Sequence, residues 1–182
     1  MDRVRTGELP WTTLDRLHRM TLDHLVTDFG ITGLSERDLD RLNRVWHRLR
    51  PWPDAVAGLT RLKRRFIIAP LSNGNISLLT EMAKHAGLPW DCILGAELVR
   101  RYKPDPEVYQ SAAEFLDLEP GDVMMVAAHS EDLRAAGAVG LRTAFVPRLL
   151  EYGRNGGAER KADLLVDLSA TDFSDLARRL GA

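Results

Sequence analysis

Arg65-Phe66-Ile67-Ile68-Ala69-Pro70-Leu71-Ser72-Asn73-Gly74-Asn75-Ile76 is the stretch on which the fold turns. Phe66 to Leu71 is an almost wholly apolar run, which reads as a strand buried on both faces, as in a parallel sheet. It stops at Ser72-Asn73-Gly74-Asn75, small residues that favour a turn. A helical pattern follows from Ile76, with Leu78, Leu79, Met82, Ala83 and Ala86 on its apolar side and Gly87 closing it. Strand, polar glycine turn and helix is the unit that sets a binding crevice at the carboxyl end of an open α/β sheet. The Ser72 hydroxyl, the Asn73 amide and the free N–H groups of the helix start suit an anion there, a carboxylate or a phosphate. The same residues also make a well-capped turn with no ligand, and this stretch alone leaves both readings open.

Composition narrows the classes. The 182 residues are 45% hydrophobic, enough for a real core, and 28% charged with a formal net charge of −1. That balance lacks the basic excess of a nucleic-acid footprint. The single cysteine, Cys92, excludes an intrachain disulfide and fits a reducing cytosol. No apolar run approaches the ~20 residues of a membrane span, and the amino terminus leads into no apolar signal segment. The expected location is therefore the cytoplasm. His18, His24, His47, His85 and His129 show no ligand spacing among themselves or with Cys92, so no metal site is expected.

The chain upstream of the stretch carries no strand pattern. Thr12 or Thr13 can cap a helix with Leu14, Leu17, Thr21, Leu25 and Phe29 on one stripe, ended by Gly30. Ser35 and Asp38 form a variant capping box for a second helix, with Leu39, Leu42, Val45, Trp46 and Leu49 inward. Pro51 and Pro53 stop it. Residues 1–51 thus read as a helical appendage, and an α/β core runs from residue 52 to residue 182. Asp54 is expected to cap a helix before the organising strand. Further strands are expected at Asp91–Leu94, Asp122–Ala128, Thr143–Val146 and Asp163–Asp167. Asp105 and Pro106 start one intervening helix, and Thr171 caps the last, which runs to Leu180. This alternation predicts a Rossmann-like, doubly wound parallel sheet.

Three polar sets follow strand ends: Ser72 with Asn73, Lys103, and His129 to Asp132. Such a fold can bring them to one crevice. Lys103 before Pro104 can present a point charge to an anion, although most lysines are simply solvated. Asp132 can anchor that lysine or serve only as a first-turn acid. Tyr109, on the helix after Lys103, and Trp11 fit either a pocket wall or ordinary packing.

Taken in order, Leu71-Ser72-Asn73, Lys103-Pro104-Asp105-Pro106-Glu107-Val108-Tyr109 and Val126-Ala127-Ala128-His129-Ser130-Glu131-Asp132 resemble the haloacid dehalogenase superfamily, and most of all its type II 2-haloacid dehalogenase branch. The helical start, with Gly7 to Trp11, resembles that branch's cap, and Gly140 to Arg148 with Glu151-Tyr152-Gly153 resembles its carboxyl-terminal segment. The resemblance implies that Ser72 and Asn73 hold a substrate carboxylate, with Tyr109, His129 and Trp11 also at the substrate. It implies that Lys103 pairs with the nucleophile and that Asp132 is the retained acid. The reaction implied is displacement of halide from a small 2-haloacid by an aspartate carboxylate, followed by hydrolysis of the ester. No cofactor is implied, and a homodimer through the cap is.

Two features depart from that pattern. The superfamily carries its nucleophile in an Asp-x-x-Gly-Thr segment at the end of the first strand, before the cap, and this sequence begins inside the cap. The expectation is an amino-terminally truncated form, or one whose start is assigned too late, with the first core strand, between the Phe66 and Val123 strands, missing and the chain inactive alone. Metal-dependent members use two acids in the last motif, and Ala128 stands where the first would be. That loss of a hard oxygen ligand disfavours magnesium. The competing readings are a magnesium-dependent phosphatase of the same superfamily and a non-catalytic binding module.

Overall fold

A computed structural model describes residues 1–182. Its amino-terminal part is helical: α1 (Asp2–Arg5), α2 (Leu14–Asp28), α3 (Glu36–Asn43) and a 3₁₀ turn (Arg44–Arg48). The box before α3 forms as expected, the Ser35 hydroxyl accepting from the Asp38 N–H and the Asp38 carboxylate from the Ser35 N–H. The inward face is not the expected one. Leu39, Asn43 and His47 turn inward, whereas Leu42, Val45, Trp46 and Leu49 are exposed. The helix tightens into the 3₁₀ turn after Asn43, which rephases the side chains. On α2, Leu14 and Leu17 are half-buried as expected, but Leu25 and Phe29 face out, Phe29 being 76% exposed.

The sheet is in two pieces. β1 (Leu71–Ser72) pairs with β2 (Leu94–Gly95), and β3 (Met124–Ala127), β4 (Arg142–Phe145) and β5 (Leu168–Ser169) form a second ladder in that order. Every pairing is parallel, as the alternating pattern requires. Phe66 to Ala69 do not join a ladder, which corrects the reading of a doubly buried strand; Phe66 and Ile67 are 40% and 57% exposed. Ile68 instead donates to the Asp91 carboxylate and accepts from the Asp91 N–H, each at 2.9 Å. Pro70 has no N–H to offer. The last strand also lies beyond its expected place. The Asp167 carboxylate accepts from the Thr143 N–H and hydroxyl, and the ladder begins only at Leu168.

The two ladders occupy one layer. Leu71 and Met125 both rest on a cluster of Val108, Tyr109, Ala136 and Leu141, supplied by α6 (Pro106–Glu114), α7 (Ser130–Ala138) and the turn after it. Ile68, Met124 and Val126 rest on the opposite cluster, which includes Leu59, Leu62, Leu176 and Ala177 of α4 (Ala55–Leu62) and α8 (Phe173–Arg179). Helices therefore cover both faces, and β1 and β3 each keep one edge unpaired. α5 (Ile76–Ala86) follows β1 and ends at Gly87, which takes the expected left-handed φ of 68°.

Two expected caps are replaced. Asp54 makes no cap bond to α4; its carboxylate takes the Arg148 guanidinium at 2.7 and 3.1 Å and the Phe173 N–H at 2.9 Å. Asp172, not Thr171, caps α8, accepting from the Asp175 N–H.

Candidate active site

The turn after β1 is held by its own side chains. Ser72 Oγ accepts from the Gly74 N–H at 3.1 Å, and Asn73 Oδ1 accepts from the Lys103 N–H at 2.7 Å. Gly95 of β2 permits this approach, since a Cβ there would lie 2.6 Å from the Gly74 carbonyl oxygen. Asn73 thus ties the end of β1 to the segment after β2. From that segment Lys103 Nζ donates to Asp132 Oδ2 at 2.9 Å, and the Tyr109 hydroxyl donates to Asp132 Oδ1 at 2.6 Å. The ammonium stands 5.5 Å from the centre of the Tyr109 ring. One short network therefore joins Asn73, Lys103, Tyr109 and Asp132, with Ser72 next to it.

The network is largely withdrawn from water. The Lys103 and Asp132 side chains are 13% and 22% exposed, and Tyr109 is fully buried. Burial pulls the Lys103 ammonium below the ordinary lysine value, and Asp132 opposes that pull. Burial also drives the Tyr109 hydroxyl far above the ordinary tyrosine range, with the bond to Asp132 adding to it. Tyr109 is therefore a fixed donor at neutral pH. The arrangement holds a cation beside a pre-oriented acid, at the carboxyl end of two strands, where a developing or bound anion gains most from it.

Trp11 and His129 stand apart from that network. Trp11 packs on Tyr102 with ring centroids 4.8 Å apart, and the Tyr102 hydroxyl donates to the Thr12 carbonyl at 2.6 Å. His129, just before α7, pairs with Glu151 at 2.9 Å and is exposed. Sequence reasoning missed the acid at the start of α7. The Ser130 N–H and hydroxyl both donate to Glu159, from an irregular segment 29 residues on. No spacing signal marks that pairing. It missed also the buried His47, whose Nδ1 meets Glu81 at 2.8 Å and whose Nε2 meets Asp15 at 3.1 Å. An imidazole between two acids is invisible until the helices carrying them are packed.

The donors do not fit a magnesium ion. Both oxygens of Asp132 are engaged, by Lys103 and by Tyr109, and Ala128 offers none.

A family model for haloacid dehalogenase-like hydrolases matches residues 3–140. The chain is 38% identical over 158 residues to (S)-2-haloacid dehalogenase 4A of Burkholderia cepacia, covering 80% of this chain and 68% of that one. It is 37% identical over 132 residues to (S)-2-haloacid dehalogenase 1 of Pseudomonas sp. (strain CBS-3), covering 70% and 57%. The chain thus spans little more than half to two thirds of these relatives' own lengths. Among solved structures, the L-2-haloacid dehalogenase PA0810 superposes with a TM-score of 0.96 at 52% identity, over 99% of this chain and 79% of that one. A defluorinating L-2-haloacid dehalogenase superposes equally well, with a TM-score of 0.96 at 49% identity, over 100% and 75%. The chain belongs to the haloacid dehalogenase-like hydrolases.

Proposed function

We propose that this chain supplies the substrate-binding and charge-stabilising side of a 2-haloacid dehalogenase site. Residues 1–51 act as the cap and residues 52–182 as the core. The observation that carries this reading is the Lys103, Asp132 and Tyr109 network seated against Asn73. In this account Ser72 and Asn73 take the substrate carboxylate, Lys103 keeps an attacking aspartate ionised, and Trp11 walls the pocket. That aspartate attacks the carbon bearing the halogen, the carbon–halogen bond breaks and halide leaves. Water then hydrolyses the ester at its carbonyl carbon, giving the 2-hydroxy acid and restoring the carboxylate. His129 lies beside the substrate once Glu151 is released from it.

The attacking aspartate is not supplied by the network itself, because Asp132 already accepts from two donors. We place it on a strand between β1 and β3, whose edges are unpaired and whose Leu71 and Met125 rest on one cluster. A strand needs ~4.8 Å on each side. Without that aspartate, residues 1–182 are expected to be inert by themselves, and the proposed location is the cytoplasm. The exposed Leu25, Phe29, Leu42, Val45 and Trp46 support a homodimer through the cap.

The test is halide release from 2-chloropropionate, with phosphate release from p-nitrophenyl phosphate and magnesium as the contrast. Purified residues 1–182 should stay at background in both. A version extended at its amino terminus through an Asp-x-x-Gly-Thr strand should release halide. Phosphate release without halide release would contradict the reading.

A further inference from the structure

The buried His47 takes no part in the network around Lys103. It lies in the 3₁₀ turn after α3 and is 1% exposed. Its Nδ1 stands 2.8 Å from a Glu81 oxygen on α5, and its Nε2 stands 3.1 Å from both oxygens of Asp15 on α2. His47 therefore touches the amino-terminal helices through Asp15 and the core through Glu81. Hydrogen bonds to a carboxylate are among the stronger ones and fix its direction.

Asp15 carries that constraint toward the crevice. Its Oδ2 accepts from Asn75 Nδ2 at 2.9 Å, and its N–H donates to Asn75 Oδ1 at 3.2 Å. Asn75 is the residue before α5, where an asparagine ordinarily accepts from an N–H of its own helix. It makes no such bond. Its oxygen goes instead to the second residue of α2, a place that Thr13 leaves open by making no side-chain cap bond. The first N–H of α5, on Ile76, is taken by Glu97 at 2.9 Å. Asn75 Nδ2 also donates to Ser77 Oγ at 2.8 Å, which ties the amide's orientation to the first turn of α5. An asparagine of the core thus caps a helix of the amino-terminal part. Asn75 is 5% exposed, so water does not readily replace these bonds.

Asn75 ends the turn that starts at Ser72. Ser72 Oγ holds the Gly74 N–H, and Asn73 Oδ1 holds the Lys103 N–H. The pair of bonds to Asp15 is the third tie on the same four residues. We propose that Asp15 and His47 are positioning residues for the substrate carboxylate. Through Asn75 they hold the turn that presents Ser72 and Asn73, so the seating of the amino-terminal helices and the order of the carboxylate site are coupled. The role rests on the function proposed above, whereas the coupling belongs to residues 1–182 themselves.

The test has two arms, both using Asn75→Ala and His47→Gln. In residues 1–182, hydrogen exchange at the Gly74 and Lys103 N–H groups should speed by about tenfold or more. The amides of β4 should keep their protection, which shows that the fold is intact. In the extended chain, each variant should raise KM for 2-chloropropionate about tenfold and leave kcat within about threefold, since the tie orients a binding group. The double variant should cost no more than Asn75→Ala alone, because both changes act through one tie. Arg19→Gln, which breaks the pairing of α2 with Glu36 inside the amino-terminal part, should move neither readout. Unchanged exchange at Gly74 and Lys103, additive effects in the double variant, or a fall in kcat at constant KM would overturn the proposal. An extended chain that releases no halide would instead overturn the proposed function, and the exchange arm would still decide whether the coupling exists.

Discussion

Lys103 is subject to two opposed influences, and their balance can be measured. Burial favours the neutral amine and Asp132 favours the ammonium, with burial the larger. The Nζ resonance should therefore titrate with a midpoint below the ordinary lysine value of about 10.4; a midpoint above that value would mean that Asp132 dominates. Tyr109 offers a second check. Tyr109→Phe removes a donor to a charged, largely buried acceptor and should cost about 1–3 kcal/mol in urea unfolding. At this scale the sequence was informative about position and poor about partners. Ser72, Asn73, Lys103 and Asp132 each follow a strand, and that order sufficed to place them together. Tyr109 could be read either as core or as site, and it is both: its ring is buried in the core and its hydroxyl holds Asp132. The tie between Asn73 Oδ1 and the Lys103 N–H could not be read, because it joins two turns 30 residues apart.

Among elements, Asp54 has a role that its sequence context disguised. It looks like a helix cap and instead joins the start of α4, the segment after β4 through Arg148 and the start of α8 through the Phe173 N–H. Burial alone would raise its carboxyl, but the guanidinium and the amide outweigh burial and hold it below the ordinary range. A carboxyl depressed on folding adds stability above its unfolded value of about 4, and loses it as pH falls through the depressed value. Asp54→Asn should thus cost about 3 kcal/mol at neutral pH and flatten the loss of stability below about pH 4. An unchanged acid limb would show that the pair contributes little. Helix periods and the turn glycines were legible here because they are local. Strand ends were not. The ladder at β1 is only two residues long, since Pro70 cannot donate and Asp91 diverts Ile68. The inward face of the cap was misread for a similar reason. The stripe from Leu39 to Leu49 assumes one continuous helix, and the 3₁₀ turn at Arg44–Arg48 interrupts it.

For the whole molecule, the alternation of strands and helices gave the right layers, and the resemblance, by which a first core strand between the Phe66 and Val123 strands is missing, implied the division of the sheet. Pairing depends on which strands stand side by side, and β1 and β3 have no strand between them to pair with. Their unpaired edges, the cluster under Leu71 and Met125 and the Lys103–Asp132 network are what the proposed crevice rests on. The central claim is that Lys103 is the cation of that crevice. The most direct measurement is halide release from 2-chloropropionate by the extended chain and by its Lys103→Ala variant, both checked for an unchanged fold by circular dichroism. The variant should lose at least about a hundredfold in turnover, as expected when a group that stabilises developing charge is removed. Turnover that survives Lys103→Ala, in the extended chain or in residues 1–182, would show that the chemistry lies elsewhere.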